Sequence, residues 1–346
     1  MYKILRKVLF LLPPEMAHTV VMISLKLFCS IPLFRIILNR YLHVKTNSKD
    51  IFGISFPNSV GLGAGFDKNA KYLRELQTLG FGFIEVGTVT PRPQSGNKKP
   101  RMFRLQDDQA LINRMGFNND GVDRVAKRLK KWRQKESKKA ISQRFIIGGN
   151  IGKNKTTPNE EAWKDYEIAF RSLHPYVDFF VINVSSPNTP GLRELQDKAA
   201  LRIILSRIIS MNSELKKPLP VLLKIAPDLN DNQIDDVISL ALEINLDGIV
   251  ATNTTIERKE LNTGAVSLNK MGNGGLSGRP LKNRSTEIVS YIQKQAQNKI
   301  AVIASGGIFT KEDAKEKINA GASLVEVWTG FIYEGPLIVR NICNNL

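Results

Sequence analysis

From about residue 51 onward, short apolar runs alternate with amphipathic stretches. Eight runs read as buried strands: Val60–Ala64, Phe83–Gly87, Phe145–Asn150, Phe179–Asn183, Val221–Lys224, Gly248–Ala251, Ala301–Ser305 and Leu324–Val327. Between most of them apolar residues recur at helical spacing: Asn69–Leu79, Asn159–Leu173, Ala199–Met211, Asn230–Glu243, Ser285–Gln295 and Lys311–Ala320. Eight alternating β and α units predict an α/β fold of the parallel (β/α)8 TIM-barrel type. Pro100–Arg114 interrupts the alternation after the second strand and is expected to be a hairpin-like insertion.

The first forty residues follow another pattern. Ile4, Leu5, Val8, Leu9, Leu11 and Leu12 are interleaved with Lys3, Arg6 and Lys7, and Pro13-Pro14 stops the run. A second apolar stretch extends from Glu15 to Phe34, holds Lys26 and is stopped by Pro32; Ile36–Leu38 then lie between Arg35 and Arg40. Ile31-Pro32-Leu33 is a poor signal-peptide cleavage site. A span needs about 20 apolar residues, and Met16–Phe34 contains a lysine and a proline. The pattern favours amphipathic helices lying in a membrane interface, with a soluble helical cap on the main domain as the other reading. The expected division is a helical domain over residues 1–40 and a barrel over 41–346.

Charge adds to this picture. The 346-residue chain carries +18, with 42% hydrophobic residues, enough for a sizeable core. Much of the excess lies in Lys127–Lys139, read as a solvated helix face and its exit. Nothing resembles a zinc knuckle, basic-region heptads or an aromatic RNA-binding motif, which argues against nucleic acid and for an anionic membrane surface. Cys29 and Cys343 form no disulfide framework or CxxC pair, so a reducing compartment is expected. His18, His43 and His174 are not spaced as ligands of one metal.

The candidate chemistry lies at the strand ends. Gly65-Phe66-Asp67-Lys68-Asn69, Gly87-Thr88, Asn150, Asn183, Lys224, Thr252-Asn253-Thr254, Gly306-Gly307 and Trp328-Thr329-Gly330 each follow or end a predicted strand. In such barrels the C-terminal strand ends build the active site. Ser305–Ile308 and Thr329-Gly330 suit a phosphate, because glycine exposes backbone N–H groups. Gly274–Gly278 is read as another flexible, donor-rich loop. Lys224 ends an apolar strand, and a cation at the N1/O2 edge of a flavin stabilises its reduced form. Read alone, the segment Asn183–Gly191 fits a Pro/Asn-rich turn as well as a site.

Taken together, these segments resemble dihydroorotate dehydrogenase, in particular its membrane-associated, quinone-linked class 2. The resemblance rests on Pro14–His18, Gly63–Asn69, Gly87–Pro91, Asn113–Asn119, Asn150–Asn154, Asn183–Arg193, Ala251–Thr255 and Gly274–Leu281, in that order along the whole chain. It implies oxidation of (S)-dihydroorotate to orotate with FMN and a membrane quinone, in pyrimidine biosynthesis. By that resemblance Ser186 is the base, where the soluble class has cysteine, with Thr189 as proton relay and Phe117 as a screen. Lys68, Asn113, Arg114, Met115, Gly116, Phe117, Asn183, Asn188, Asn253 and Thr254 would hold the substrate. Ala64, Gly65, Lys68, Thr88, Asn150, Asn183, Lys224, Thr252, Gly278, Gly307, Trp328 and Thr329 would hold FMN. His18 and Arg104 would face the quinone. The family usually has tyrosine where this chain has Trp328.

The short N-terminus without a transit peptide favours a bacterial protein, peripheral on the cytoplasmic face of the inner membrane, and a monomer with no metal is expected. A soluble fumarate- or NAD-linked dehydrogenase of the same fold is opposed by Ser186 and the N-terminal segment. A non-catalytic membrane-binding barrel is opposed by the joint presence of Lys68, Asn113, Ser186, Asn188 and Lys224.

Overall fold

The computed structural model describes residues 2–44 and 48–344; the outermost residues of the expected domains, Met1 and 345–346, lie outside it. Eight parallel strands close a barrel: β1 (Val60–Leu62), β2 (Phe83–Val89), β3 (Ile146–Ile151), β4 (Phe179–Asn183), β5 (Val221–Ile225), β6 (Gly248–Ala251), β7 (Ala301–Ser305) and β8 (Leu324–Val327). They pair in sequence order, and β8 returns to β1 through Val325↔Val60 and Glu326↔Gly61. All eight predicted strands are present, with ends shifted by at most two residues.

The inner face of the barrel is layered. Phe83, Ile146, Phe179, Val181, Leu222, Val250, Ile303 and Leu324 form a buried apolar plug, capped from below by Phe56 of the hairpin Lys49–Ile51/Ile54–Phe56. Side chains on a strand return to the same face every second residue. Two positions beyond Phe83, Val181, Leu222, Val250, Ile303 and Leu324 stand Glu85, Asn183, Lys224, Thr252, Ser305 and Glu326. The sequence thus switches from apolar to polar within one step along six of the eight strands, and that step sets the floor of the site. Gly61 and Gly148 make room for the plug: a Cβ on either would lie 2.3 or 2.4 Å from the ring of Phe83 or Phe179.

Two expectations are corrected. Asn69–Leu79 is helical only over Leu73–Thr78. The buried carboxylate of Asp67 accepts the backbone N–H groups of Asn69, Lys71 and Tyr72, which wraps that segment around a side chain and delays the helix. Gly274–Gly278 is not a flexible loop. Gly275–Gly278 is a strand antiparallel to Ala110–Asn113, which in turn pairs with Met102–Leu105. A Cβ on Gly275 would lie 2.0 Å from Thr254 Oγ1, so glycine serves close approach there. The Pro100–Arg114 insertion is the expected hairpin, and this three-stranded ribbon carries Asn113 over the barrel mouth.

The N-terminal segment forms three helices: α1 (Tyr2–Leu9), α2 (Pro14–Ser30) and α3 (Pro32–Tyr41). Pro14 and Pro32 each open a helix, where a missing N–H costs nothing. α2 and α3 meet at 109°, and no single described helix is long and apolar enough to cross a membrane. The helices are pinned to the barrel. Glu15 takes a two-pronged ion pair from Arg101, Arg6 donates to the Tyr333 carbonyl, and Tyr2 Oη donates to the Ile332 carbonyl. Their outer surface keeps Leu5, Val8, Leu11, Ile23, Leu27, Leu33, Ile36 and Ile37 exposed.

The helix Val122–Glu136 buries Val122, Val125, Leu129 and Glu136 and leaves Lys127, Lys130, Lys131 and Lys135 in solvent, as the charge run predicts.

Candidate active site

The C-terminal strand ends open into a cavity at the barrel mouth, the place where such folds bind their ligands. It brings together Lys68, Asn113, Met115, Gly116, Phe117, Asn183, Ser186, Asn188, Asn253 and Thr254, with Ala64, Gly65, Thr88, Lys224, Thr252, Gly278, Gly307, Trp328 and Thr329. Three predicted residues stand outside this lining. Asn150 lies behind it, accepting from Thr88 Oγ1 at 2.6 Å and from Asn183 Nδ2 at 3.2 Å. Thr189 is buried beneath Ser186's loop. Arg114 turns away, donating to the carbonyls of Pro100 and Met271, where it fastens the insertion to the helix Ala265–Met271.

The two serines after β4 differ. Ser185 is fully buried; it donates to Asn183 Oδ1 at 3.2 Å and accepts from Asn253 Nδ2 at 3.0 Å. It fixes two amides and has no free face. Ser186 faces the cavity, and its Oγ accepts only the Asn188 N–H at 3.3 Å. Asn188 Nδ2 in turn donates to Asn113 Oδ1 at 3.0 Å, so the β4 loop and the insertion share a polar rim. Arg193 holds the same loop from behind, donating to the Ser185 and Thr254 carbonyls and pairing with Asp228 at 2.7 Å. Thr189 Oγ1 is buried with no hydrogen-bond partner among the described residues. A buried hydroxyl without a partner costs stability, and this one lies three positions after Ser186 on the same loop.

The glycines form a cradle at the opposite end. A Cβ on Gly307 would meet Lys282 Cα at 2.4 Å, one on Gly278 the Gln109 carbonyl at 2.4 Å, and one on Gly330 the Ile308 carbonyl at 2.0 Å. Gly306 and Gly307 both have positive φ, at 123° and 72°. Glycine lets these segments take such conformations and pack closely on neighbouring backbone, with Gly278, Gly306, Gly307 and Gly330 lining the cavity.

Charge at the floor and wall is unusual. Burial works against the ammonium of Lys224, but Glu326 and Glu85, at 3.2 and 3.1 Å, outweigh it and raise its pKa above the ordinary lysine value. Lys68 donates to the Gly65 carbonyl at 2.8 Å. Burial, then the charge of Arg101, lowers its pKa to about 8. Glu85 and Glu326 escaped the sequence reading. An acid within each of two strands buried on both faces was the available signal.

A second, larger cavity lies between α1, α2 and the barrel mouth. Leu5, Leu9, Phe10, Val21, Met22 and Leu25 line one side, and Phe66, Phe331 and Ile332 the other. Both quinone candidates line it. His18 Nε2 lies 3.2 Å from the Phe66 carbonyl, and burial, then the charge of Lys68, lowers its pKa to about 4. It is therefore neutral at physiological pH, with Nε2 donating and Nδ1 left as an acceptor. Arg104 donates to the carbonyls of Phe10 and Leu12 and lies over the Phe10 ring. Gly65, Lys68, Met102, Leu111, Met115 and Trp328 line both cavities. Trp328 packs edge-on against Phe66, with ring centres 5.8 Å apart.

Comparison with known proteins points the same way. The family model for dihydroorotate dehydrogenase matches residues 46–346. A dihydroorotate dehydrogenase (quinone) of Christiangramia forsetii is 50% identical over 345 residues, covering 99% of this chain and 97% of the relative. One of Coxiella burnetii is 47% identical, covering 99% and 95%. Among solved structures, the ligand-free enzyme from Eimeria tenella superposes with a TM-score of 0.85 at 41% identity, over 96% of this chain and 93% of that one.

Proposed function

Because the chain belongs to the dihydroorotate dehydrogenase family, we propose that it oxidises (S)-dihydroorotate to orotate with FMN bound in the barrel-mouth cavity and a quinone as final acceptor. The observation that carries this reading is the single cavity in which Ser186, the amide rim and the glycine cradle converge over Lys224. The residues fit a flavin mononucleotide: a cation at the floor, a glycine cradle for the phosphate, and the small residues Gly63, Ala64 and Gly65 along the lining. Held over Lys224 and by the Gly278, Gly307 and Thr329 cradle, FMN would supply the two-electron acceptor for the substrate's C6 hydride and the donor to the quinone.

The chain's own groups do the rest. Asn113, Asn183, Asn188 and Asn253 present donors and acceptors to a ring of alternating carbonyl and N–H groups. Lys68 meets the substrate carboxylate. Ser186 Oγ takes the C5 proton as the C5–C6 double bond forms. A serine is a weak base at its free pKa and needs a route for the proton. The partnerless Thr189 hydroxyl, with a water between, supplies that route. Met115, Gly116 and Phe117 close the cavity from the insertion side; Phe117 is held there in a left-handed conformation, φ 51°.

Residues 1–40 form the membrane-associating and quinone-admitting domain, and 41–346 the catalytic one. Exposed apolar side chains with Lys3, Lys7, Lys26, Arg35 and Arg40 among them suit an interface that is apolar inside and anionic at its surface. A monomer, peripheral on the cytoplasmic face of a bacterial inner membrane, is the arrangement we infer.

Anaerobic mixing with dihydroorotate tests the whole reading. The yellow protein should bleach, and a quinone, not fumarate or NAD, should restore the colour. A protein purified without flavin, or one reoxidised by fumarate, overturns it.

Two further outcomes are expected. Gly307→Ala should yield folded protein largely free of FMN, since its Cβ would collide with Lys282; a released flavin equimolar with protein would rule out the cradle assignment. The Michaelis constant for dihydroorotate should rise as pH passes about 8, where Lys68 loses its proton and its attraction for the carboxylate. Below that pH the ammonium is intact and affinity is full. A pH-independent constant would remove Lys68 from the substrate contact.

A further inference from the structure

The base of the cavity holds two acids that the mechanism above does not use. Glu85 and Glu326 are each 1% exposed, lie on β2 and β8, and face the same lysine. The two carboxyls are also within hydrogen-bonding reach of each other. Each keeps one oxygen, Oε1, with no partner among the described residues. Two ionised carboxylates in a dry site repel strongly, and one lysine balances only one of them. A shared proton removes the repulsion and gives one orphaned oxygen a donor.

The two sites are not equivalent. Glu85 Oε2 accepts from Lys224 Nζ at 3.1 Å and from Asn150 Nδ2 at 2.8 Å. Glu326 Oε2 accepts from Lys224 alone, at 3.2 Å. The extra donor favours the negative charge on Glu85. We propose that Glu326 stands as an uncharged carboxylic acid that donates its proton to Glu85, so that Lys224, Glu85 and Glu326 form a charge-neutral triad beneath the cofactor. Burial, then the charge of Glu85, raises the Glu326 pKa well above the ordinary carboxylate value, with Lys224 opposing. Besides Glu85 and Lys224, no charged side chain among the described residues is among the groups acting on Glu326.

Glu326 is a positioning residue in this account. It holds Glu85 and leaves Lys224 compensated by one negative charge instead of two. The consequence for the cofactor rests on the flavin reading above; the proton itself does not.

The test compares the full-length holoenzyme with Glu326→Gln, whose amide keeps a donor toward Glu85 without any charge. The infrared difference spectrum at neutral pH should show loss of a carboxylic-acid band, one that shifts in D2O. Loss of a carboxylate band would overturn the proposal. The midpoint potential of the bound flavin should be unchanged in Glu326→Gln, because no charge has been removed. A rise in potential would mean that Glu326 was ionised, and would also overturn it. If Glu326→Gln fails to fold, the wild-type spectrum decides: the acid band must be present well above the ordinary carboxylate range and exchange slowly with D2O. A colourless protein that still shows this band refutes the flavin reading and leaves the triad standing. A yellow protein without the band does the reverse.

Discussion

Ser186→Ala retains its flavin and its fold, yet dihydroorotate reduces that flavin at least about 10²-fold more slowly than in the parent protein, the scale that a positioned base contributes. The expectation follows from how little Ser186 does structurally. Its Oγ accepts one backbone N–H at 3.3 Å, and the cavity wall around it is built by Asn113, Asn188 and Asn253. Removing the hydroxyl therefore costs little packing. The same change at the neighbouring Ser185 breaks contacts to Asn183 and Asn253 inside the wall, and should lower affinity and stability together. Stopped-flow reduction under anaerobic conditions separates the two. Rapid flavin bleaching in Ser186→Ala would remove that residue from proton abstraction.

Deleting residues 1–40 should leave the first half of the reaction intact and impair the second. The deletion removes one wall of the second cavity and the Arg101–Glu15 pair, but no residue lining the cavity over Lys224. Bleaching by dihydroorotate should proceed at close to the parental rate. Reoxidation by a long-chain quinone should fall at least about tenfold, the loss of roughly 1.4 kcal/mol of binding, while a short water-soluble quinone is less affected. The truncated protein should no longer sediment with anionic vesicles, whereas the full chain should be loosened from them by salt. Because Ala17, Met22 and Cys29 are buried, flavin content and circular dichroism accompany the assay as controls of folding. Unchanged long-chain turnover would sink the assignment of the helical domain.

The barrel was legible because each strand is a short β-rich run bounded by turn formers, and because its helices have strong periodicity. Its mouth residues were legible for the same reason: once a strand end is placed, so is the site. What escaped depended on contacts distant in sequence. Asp67 looks like an ordinary loop acid until it gathers three N–H groups and holds back a helix. Gly275–Gly278 reads as a loop because glycine has no strand propensity, yet two neighbouring segments supply its pairing. Arg114 sits in a motif otherwise devoted to the cavity, but the carbonyls of Pro100 and Met271 draw it outward. Asn150 reads as a flavin contact and Thr189 as a proton relay, and the structure places both one layer behind the cavity lining. Glu85 and Glu326 lie 241 positions apart in numbering, and the closure of β8 onto β1, next to β2, brings them together.

The six residues common to both cavities have a temporal consequence. With dihydroorotate seated over Lys224 and quinone in the second cavity, as proposed above, neither has to wait for the other to vacate its seat. Orotate can depart before an acceptor arrives. On the proposed reading, the partition that Lys68, Met115 and Trp328 help to build divides the catalytic cycle into two half-cycles, each throttled by its own pool: dihydroorotate on one side and oxidised quinone on the other.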